Sequence, residues 1–350
     1  MDTDTLPYYL VLFAIAVPAL AEHARKPTAG WLLTYLVLVF FVGLRYQVGS
    51  DWEGYLALAR LVEDRSLAEV LQIGDPLFYL VLWSSVHLGF DVYGANLVTS
   101  GIFLLGLFSY CRRMPNPWLA LYSALPFLVI VVGMSANRQA AAIGVTLYLL
   151  ASWETSSTLR RLVVLAIAVG FHTSALIFML LFVIDSKLSR LRKILATIAV
   201  LAATAYFASS SSTIERYTES YIDDTDINVA AGALQQILLN AIPGLFLLLR
   251  RRKFAPRILQ PNFVMPMALF AVLLVPLAFL YSVAASRVSF YLFPVSISLL
   301  SAIPSVSRDG RTRGFLRYTV VLYGMGLLAA WLMLANHAYN HKPYGNVLFL

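Results

Sequence analysis

Trp118 to Met134 reads WLALYSALPFLVIVVGM, seventeen residues without a charge. Such a run covers most of a hydrocarbon core about 30 Å thick. Backbone groups inside lipid must bond within their own segment, so the run is a helix. Comparable runs recur at 6 to 22, 30 to 44, 94 to 110, 139 to 153, 193 to 208, 232 to 249, 262 to 281, 287 to 303 and 315 to 335. Across the 350 residues, 60% are hydrophobic and 13% charged, against about 25% charged in soluble domains. A soluble fold is excluded. The sequence predicts an all-α polytopic integral membrane protein of about ten to twelve helices, some short or re-entrant, forming one transmembrane domain over residues 1–350.

The formal charge of +8 does not mark a nucleic-acid surface. The basic residues form short clusters between apolar runs: Arg25-Lys26, Arg112-Arg113, Arg160-Arg161, Lys187 to Lys193, Arg250 to Lys253 and Arg308 to Arg317. That pattern marks the cytoplasmic side. The outside then holds the loops 45–75 and 209–231, the turns near Ser135 and Ser282 to Ser286, and both termini. The acidic start Met1 to Thr5 lacks the positive region of a secretory signal, so the first run reads as a retained helix. The lone Cys111 excludes an intramolecular disulfide and a multi-cysteine metal site.

Two stretches break the simple alternation. Residues 162 to 184 are apolar but flanked by basic clusters on both sides, which one crossing cannot reconcile. A re-entrant pair of half-helices broken near Gly170-Phe171-His172 does. Residues 77 to 90 are too short to span and read as interfacial or partly inserted. Between Asp51 and Gln72, Trp52, Tyr55, Leu58 and Leu61 alternate with charges at helical spacing, predicting a short amphipathic helix on the membrane surface. Ser212 to Glu215 has the form of a capping box and predicts another short helix there. Asp223 to Asn228 loosely matches a calcium loop, but Val229 and Gln235 stand where glycine and glutamate belong. It reads as a solvated loop.

Charged groups at span ends are costly and point to function when they gather on one side. Arg45, Arg138, His172, Arg287 and Tyr344 all fall on the outer side. A lone terminal arginine is usually a snorkelling anchor, yet the charge bias disfavours anchors on the outer face. Outward arginines around one cavity suit a phosphate ester, because guanidinium forks bond phosphate oxygens in pairs and stay charged when desolvated. A diphosphate-linked lipid is the membrane substrate with that chemistry. Asp51, Glu53 or His172 is placed to take a proton from an attacking sugar hydroxyl. No metal or other cofactor is required by this chemistry.

Gly43-Leu44-Arg45-Tyr46, followed by Val48-Gly49-Ser50-Asp51 and Tyr55, resembles the Arg-x-x-x-Gly-Thr-Asp-x-x-x-Tyr signature of EpsG-like proteins, which are Wzy-type exopolysaccharide and O-antigen polymerases. Asn137-Arg138-Gln139 resembles their Arg-Gln motif, and Phe171-His172-Thr173-Ser174-Ala175 their Phe-His-x-Ser-Ala element. Pro343-Tyr344 is also similar. Asp75-Pro76 stands where the family has Glu-Pro, and Ser50 replaces its common threonine. The resemblance implies a glycosyltransferase at the periplasmic face of a bacterial inner membrane, joining undecaprenyl diphosphate-linked oligosaccharide repeat units. It points to Arg45, Asp51, Arg138 and His172 as catalytic, and to Tyr46, Tyr55, Asp75, Gln139, Arg287 and Tyr344 as substrate-binding. Membrane lipid, a chain-length regulator and a flippase are the partners such a role implies. A membrane O-acyltransferase would need a His-Arg constellation on the cytoplasmic side, which is missing from the sequence. A transporter or flippase of the lipid-linked glycan would favour repeated halves with matched breaks, and the breaks here are asymmetric.

Overall fold

The computed structural model describes residues 3–21, 29–219 and 232–349. Its helices are α1 Leu6–Leu20, α2 Ala29–Gly43, α3 Trp52–Glu63, α4 Leu67–Val70, α5 Pro76–His87 and α6 Asp91–Cys111. They are followed by α7 Pro117–Ser135, α8 Asn137–Ser152, α9 Thr158–Phe171, α10 Thr173–Asp185 and α11 Arg190–Glu219. The remainder are α12 Ala233–Leu249, α13 Arg251–Arg257, α14 Pro261–Leu277, α15 Ser282–Val306 and α16 Gly310–Leu334. The chain is an all-α polytopic membrane protein. Helices α6, α7, α15 and α16 are long and apolar enough to cross alone, α12 with α13 forms a bent pair, and α1, α2, α10 and α14 are shorter apolar helices. A two-stranded ribbon, β1 Arg45–Tyr46 and β2 Gly345–Asn346, pairs Arg45 with Asn346.

Contacts fix which segment ends share a face. The ribbon joins the Arg45 loop to the carboxyl-terminal tail, and the Tyr344 amide donates to the Asp4 carbonyl at 3.1 Å. Both described ends of the chain therefore sit beside Arg45. At the opposite face Trp31 meets Trp118 edge to face at 4.8 Å, and Arg257 donates to the Ser305 carbonyl at 3.1 Å.

The stretch 162 to 184 folds back on itself as its flanking charges predict. Helix α9 ends at Phe171, His172 adopts an extended φ of −161°, and α10 returns. At the return, Asp185 meets Arg161 at 3.0 Å, and the Arg161 guanidinium lies 4.4 Å from the Trp153 ring. Both feet of the pair thus stand at one face, with His172 at the tip. Helix α5 also stays on one side. Its first residues lie beside the tip, where Leu77 packs on Gly170, and its Ser85 hydroxyl donates to the Asp91 carbonyl at 2.5 Å, at the start of α6.

Helix α3 buries Trp52, Tyr55, Leu58 and Val62 and turns Glu53, Arg60 and Glu63 outward, as its spacing predicts. That apolar face packs on other helices and not on the membrane surface as expected, with Trp52 5.9 Å from Tyr93 of α6 and Tyr55 5.7 Å from Phe78 of α5. A second expectation also fails: no new helix opens at Ser212, because α11 runs through it to Glu219. Residues 209 to 212 contain no glycine or proline, and extending a helix is far easier than starting one. The Asp223 to Asn228 cluster lies outside the described residues.

Helices α6 and α8 approach each other closely. Gly106 and Gly144 face each other there, and a methyl group added to Gly106 would land on the Gly144 carbonyl. Small residues at such crossings let backbones meet. Gly106→Ala is expected to force the helices apart at a cost of about 1–3 kcal/mol. Thermal unfolding in detergent checks this, and an unchanged midpoint contradicts it.

Candidate functional site

The site begins with a strained backbone. Asp75 holds a φ of 27° immediately before Pro76, a left-handed conformation that aspartate tolerates better than most residues. This turns its carboxylate inward, where its side chain is almost fully buried. Oδ2 accepts from Arg138 Nη1 at 3.2 Å and from His172 Nδ1 at 3.0 Å, while Oδ1 accepts from the Thr173 amide and hydroxyl, each at 3.1 Å. A carboxylate so placed must be satisfied on both oxygens, and it is. Burial by itself would raise the Asp75 carboxyl. The His172 hydrogen bond and charge, then Arg138 and Thr173, outweigh it and hold the group below the usual carboxylate range.

Each partner is delivered by a helix end. Arg138 sits in the first turn of α8, its guanidinium 5.7 Å from the Phe78 ring and its amide donating to the Tyr55 hydroxyl at 3.4 Å. His172 and Thr173 form the tip of the re-entrant pair, where the helical ladder is interrupted. With Nδ1 committed to Asp75, Nε2 is the nitrogen that His172 can offer to a substrate. The neighbouring Gln139 donates to the Arg287 carbonyl at 2.6 Å, bringing α15 to the same end of α8. Beneath the tip, Ser174 and Tyr291 share a hydrogen bond of 3.0 Å.

Arg45 occupies a different position from the one its motif suggests. It is fully buried, donating to the Val42 carbonyl at 2.8 Å, the Val48 carbonyl at 3.0 Å and Asn137 Oδ1 at 2.6 Å. Asn137 in turn donates to Asn96 of α6. Burial lowers Arg45 to about 10, so it stays charged at neutral pH. Its fork is spent on closing α2 and on fixing the residue next to Arg138. Gly49, at a φ of 111°, allows the same loop to press on the Met134 carbonyl, where any side chain would collide.

A family comparison matches residues 29–346 of the chain to the EpsG family. The chain belongs to the EpsG family. No curated protein and no solved structure matches it. The membership carries a polysaccharide polymerase-type role in general terms.

Within this EpsG-family chain, Arg138, Asp75, His172, Tyr55, Gln139 and the Arg287 backbone gather at one place. Asp51 is exposed at the start of α3, where its charge acts on Tyr55 and Arg45. Tyr46 lies half-buried in the ribbon, 6.2 Å from Trp52. Tyr344 lies apart: it stacks on Phe41 at 4.5 Å and donates to the Phe41 carbonyl at 2.9 Å. It locks the tail to α2. Reading the sequence for charges passes over Thr173, Asn137 and Asn96. The first two adjoin motif residues, and adjacency is the only signal they give. Among the described residues no cluster of three or more His, Cys, Asp or Glu is placed to hold a metal ion.

His341 gives the tail a pH dependence. It is fully buried, 4.8 Å from the Trp331 ring. Burial, then the charge of Arg45, lowers its imidazole to about 4. The folded chain keeps His341 neutral, while the unfolded chain protonates it below about 6.5. Between those values the unfolded state binds more protons, so stability is lost as the pH falls from about 6.5 towards 4, by up to about 3 kcal/mol. Loss of Asp75 ionisation acts only at lower pH. The melting midpoint is expected to drop between pH 7 and pH 4.5, and less steeply for His341→Phe. Equal slopes contradict the assignment.

Proposed function

We propose that this chain is a Wzy-type polymerase that joins undecaprenyl diphosphate-linked oligosaccharide units at the periplasmic face of a bacterial inner membrane. The observation that carries the reading is the Asp75 carboxylate accepting from both His172 and Arg138 at a single oxygen. An acceptor sugar hydroxyl on one lipid-linked unit attacks the anomeric carbon of the donor glycan. The bond from that carbon to the diphosphate oxygen breaks, and the electron pair leaves with the lipid diphosphate. His172 Nε2 takes the hydroxyl proton as the new bond forms and later returns it to water. Asp75 holds the ring in the tautomer that leaves Nε2 basic, and stabilises the imidazolium that forms.

Arg138, held beside Asp75 and over the Phe78 ring, stabilises the leaving diphosphate with its positive charge. Arg287, brought to Gln139, supplies a second cation for the same group. Arg45 acts through Asn137 as a positioning residue, and Asp51, Tyr46 and Tyr55 border the acceptor side. No step is routed through a metal, so turnover in the presence of a chelator is the expected behaviour. Chain-length regulators and flippases are the protein partners of such an enzyme.

The test is reconstitution of the full chain in vesicles with a purified lipid-linked repeat unit. A ladder of glycan lengths, with release of lipid diphosphate, is expected. Movement of the intact lipid-linked unit across the vesicle without chain growth would replace polymerisation by transport.

A further inference from the structure

At the end of the bundle away from Asp75, α12 stops at Leu249 and α13 turns from it by 90°. Between α12, α13, the end of α15 and the start of α16 lies a cavity of about 530 Å³. Its walls are Phe246, Leu300, Ile303, Leu316, Val320 and Tyr323, and its rim carries Arg250 and Lys253. The rim is built: Arg257 donates to the Ser305 carbonyl at 3.1 Å and to the Lys253 carbonyl at 2.5 Å, pinning α13 onto the end of α15. Phe254, buried beneath the rim, packs edge to face on Phe246 at 5.6 Å.

We propose that this groove binds one anionic glycerophospholipid from the adjacent leaflet, with an acyl chain along the apolar walls and the phosphate diester between Arg250 and Lys253. The size falls within the range of sites for small amphiphiles. Charge complementarity selects the head group, since a phosphate at an arginine and a lysine forms charge-assisted hydrogen bonds. The groove opens sideways between exposed apolar surfaces, with Leu249 and Leu322 beside it 72% and 66% exposed, which is how a membrane protein meets lipid. The lining offers little to a sugar-bearing lipid, since among the described residues it adds only Thr319 and the Tyr323 hydroxyl to the two cations as polar groups. The proposal does not depend on the glycosyl-transfer reading.

Native mass spectrometry of the full chain in detergent tests it, titrating phosphatidylglycerol, phosphatidylcholine and a polyisoprenyl diphosphate. One phosphatidylglycerol is expected to bind saturably and to raise the melting midpoint, with phosphatidylcholine binding about tenfold or more weakly. Combined Arg250→Gln and Lys253→Gln should remove that preference, about a tenfold loss from two charge-assisted bonds. Arg251→Gln with Arg252→Gln removes the same charge outside the groove and should leave binding unchanged. Thr319→Trp, which keeps both cations and fills the groove, should abolish the one-to-one species. Equal binding of phosphatidylcholine, equal losses in the two double variants, or tighter binding of the polyisoprenyl diphosphate would overturn the proposal.

Discussion

His172→Ala, at normal abundance in the membrane, is expected to lose glycan elongation by about 10²–10⁴-fold. The side chain stands at the tip of the re-entrant pair, its Nδ1 held by Asp75. On the proposed mechanism, removing it takes away the group that accepts the proton while leaving the proposed lipid diphosphate site standing. Turnover should fall more than apparent affinity for the lipid-linked unit. Asp75→Asn keeps the shape but cannot stabilise an imidazolium, so it should lose much of the same factor. Asp75→Ala is a poorer probe, because deleting one member of a buried ion pair destabilises a fold by about 3–5 kcal/mol. Elongation and membrane abundance measured side by side separate the two effects. Full activity of His172→Ala at normal abundance would remove it from the chemistry.

Arg138→Ala is expected to lower elongation by about 10²–10³-fold, the usual consequence of deleting one preorganised donor to a developing anion. Arg138→Lys should be impaired too, since lysine cannot bond Asp75 and a phosphate oxygen with one planar fork. Arg45 should behave differently. Its guanidinium donates to two carbonyls and Asn137, so Arg45→Ala leaves buried acceptors unsatisfied and should lower abundance and melting temperature as well as rate. A full glycan ladder from Arg138→Ala at normal abundance contradicts its role.

The sequence carried the membrane architecture because apolar length and basic clusters act over single segments. The same charge rule exposed the fold-back at His172, where two basic flanks forbid one crossing. It could not show that Asp75, Arg138 and His172 meet. Those residues are separated by 63 and 97 positions from Asp75, and contacts between spans leave no local periodicity. For the same reason the burial of Arg45 is illegible: its motif looks the same whether the guanidinium faces a cavity or closes a helix. The placing of Tyr344 is illegible in the same way, since its stack on Phe41 joins residues some 300 positions apart. The helix through Ser212 shows a local signal overridden, where a good capping pattern sits inside a helix already propagating.

The most direct measurement is a single-turnover reaction in vesicles, with one lipid-linked unit as donor and another as acceptor, following both products. The account predicts that glycan dimer and free lipid diphosphate appear together in equal amounts. It also predicts that His172→Ala and Arg138→Ala at matched abundance suppress both by at least about a hundredfold. Equal rates in these variants, or lipid diphosphate released without dimer in the wild-type chain, would contradict glycosyl transfer at the Asp75, Arg138 and His172 site.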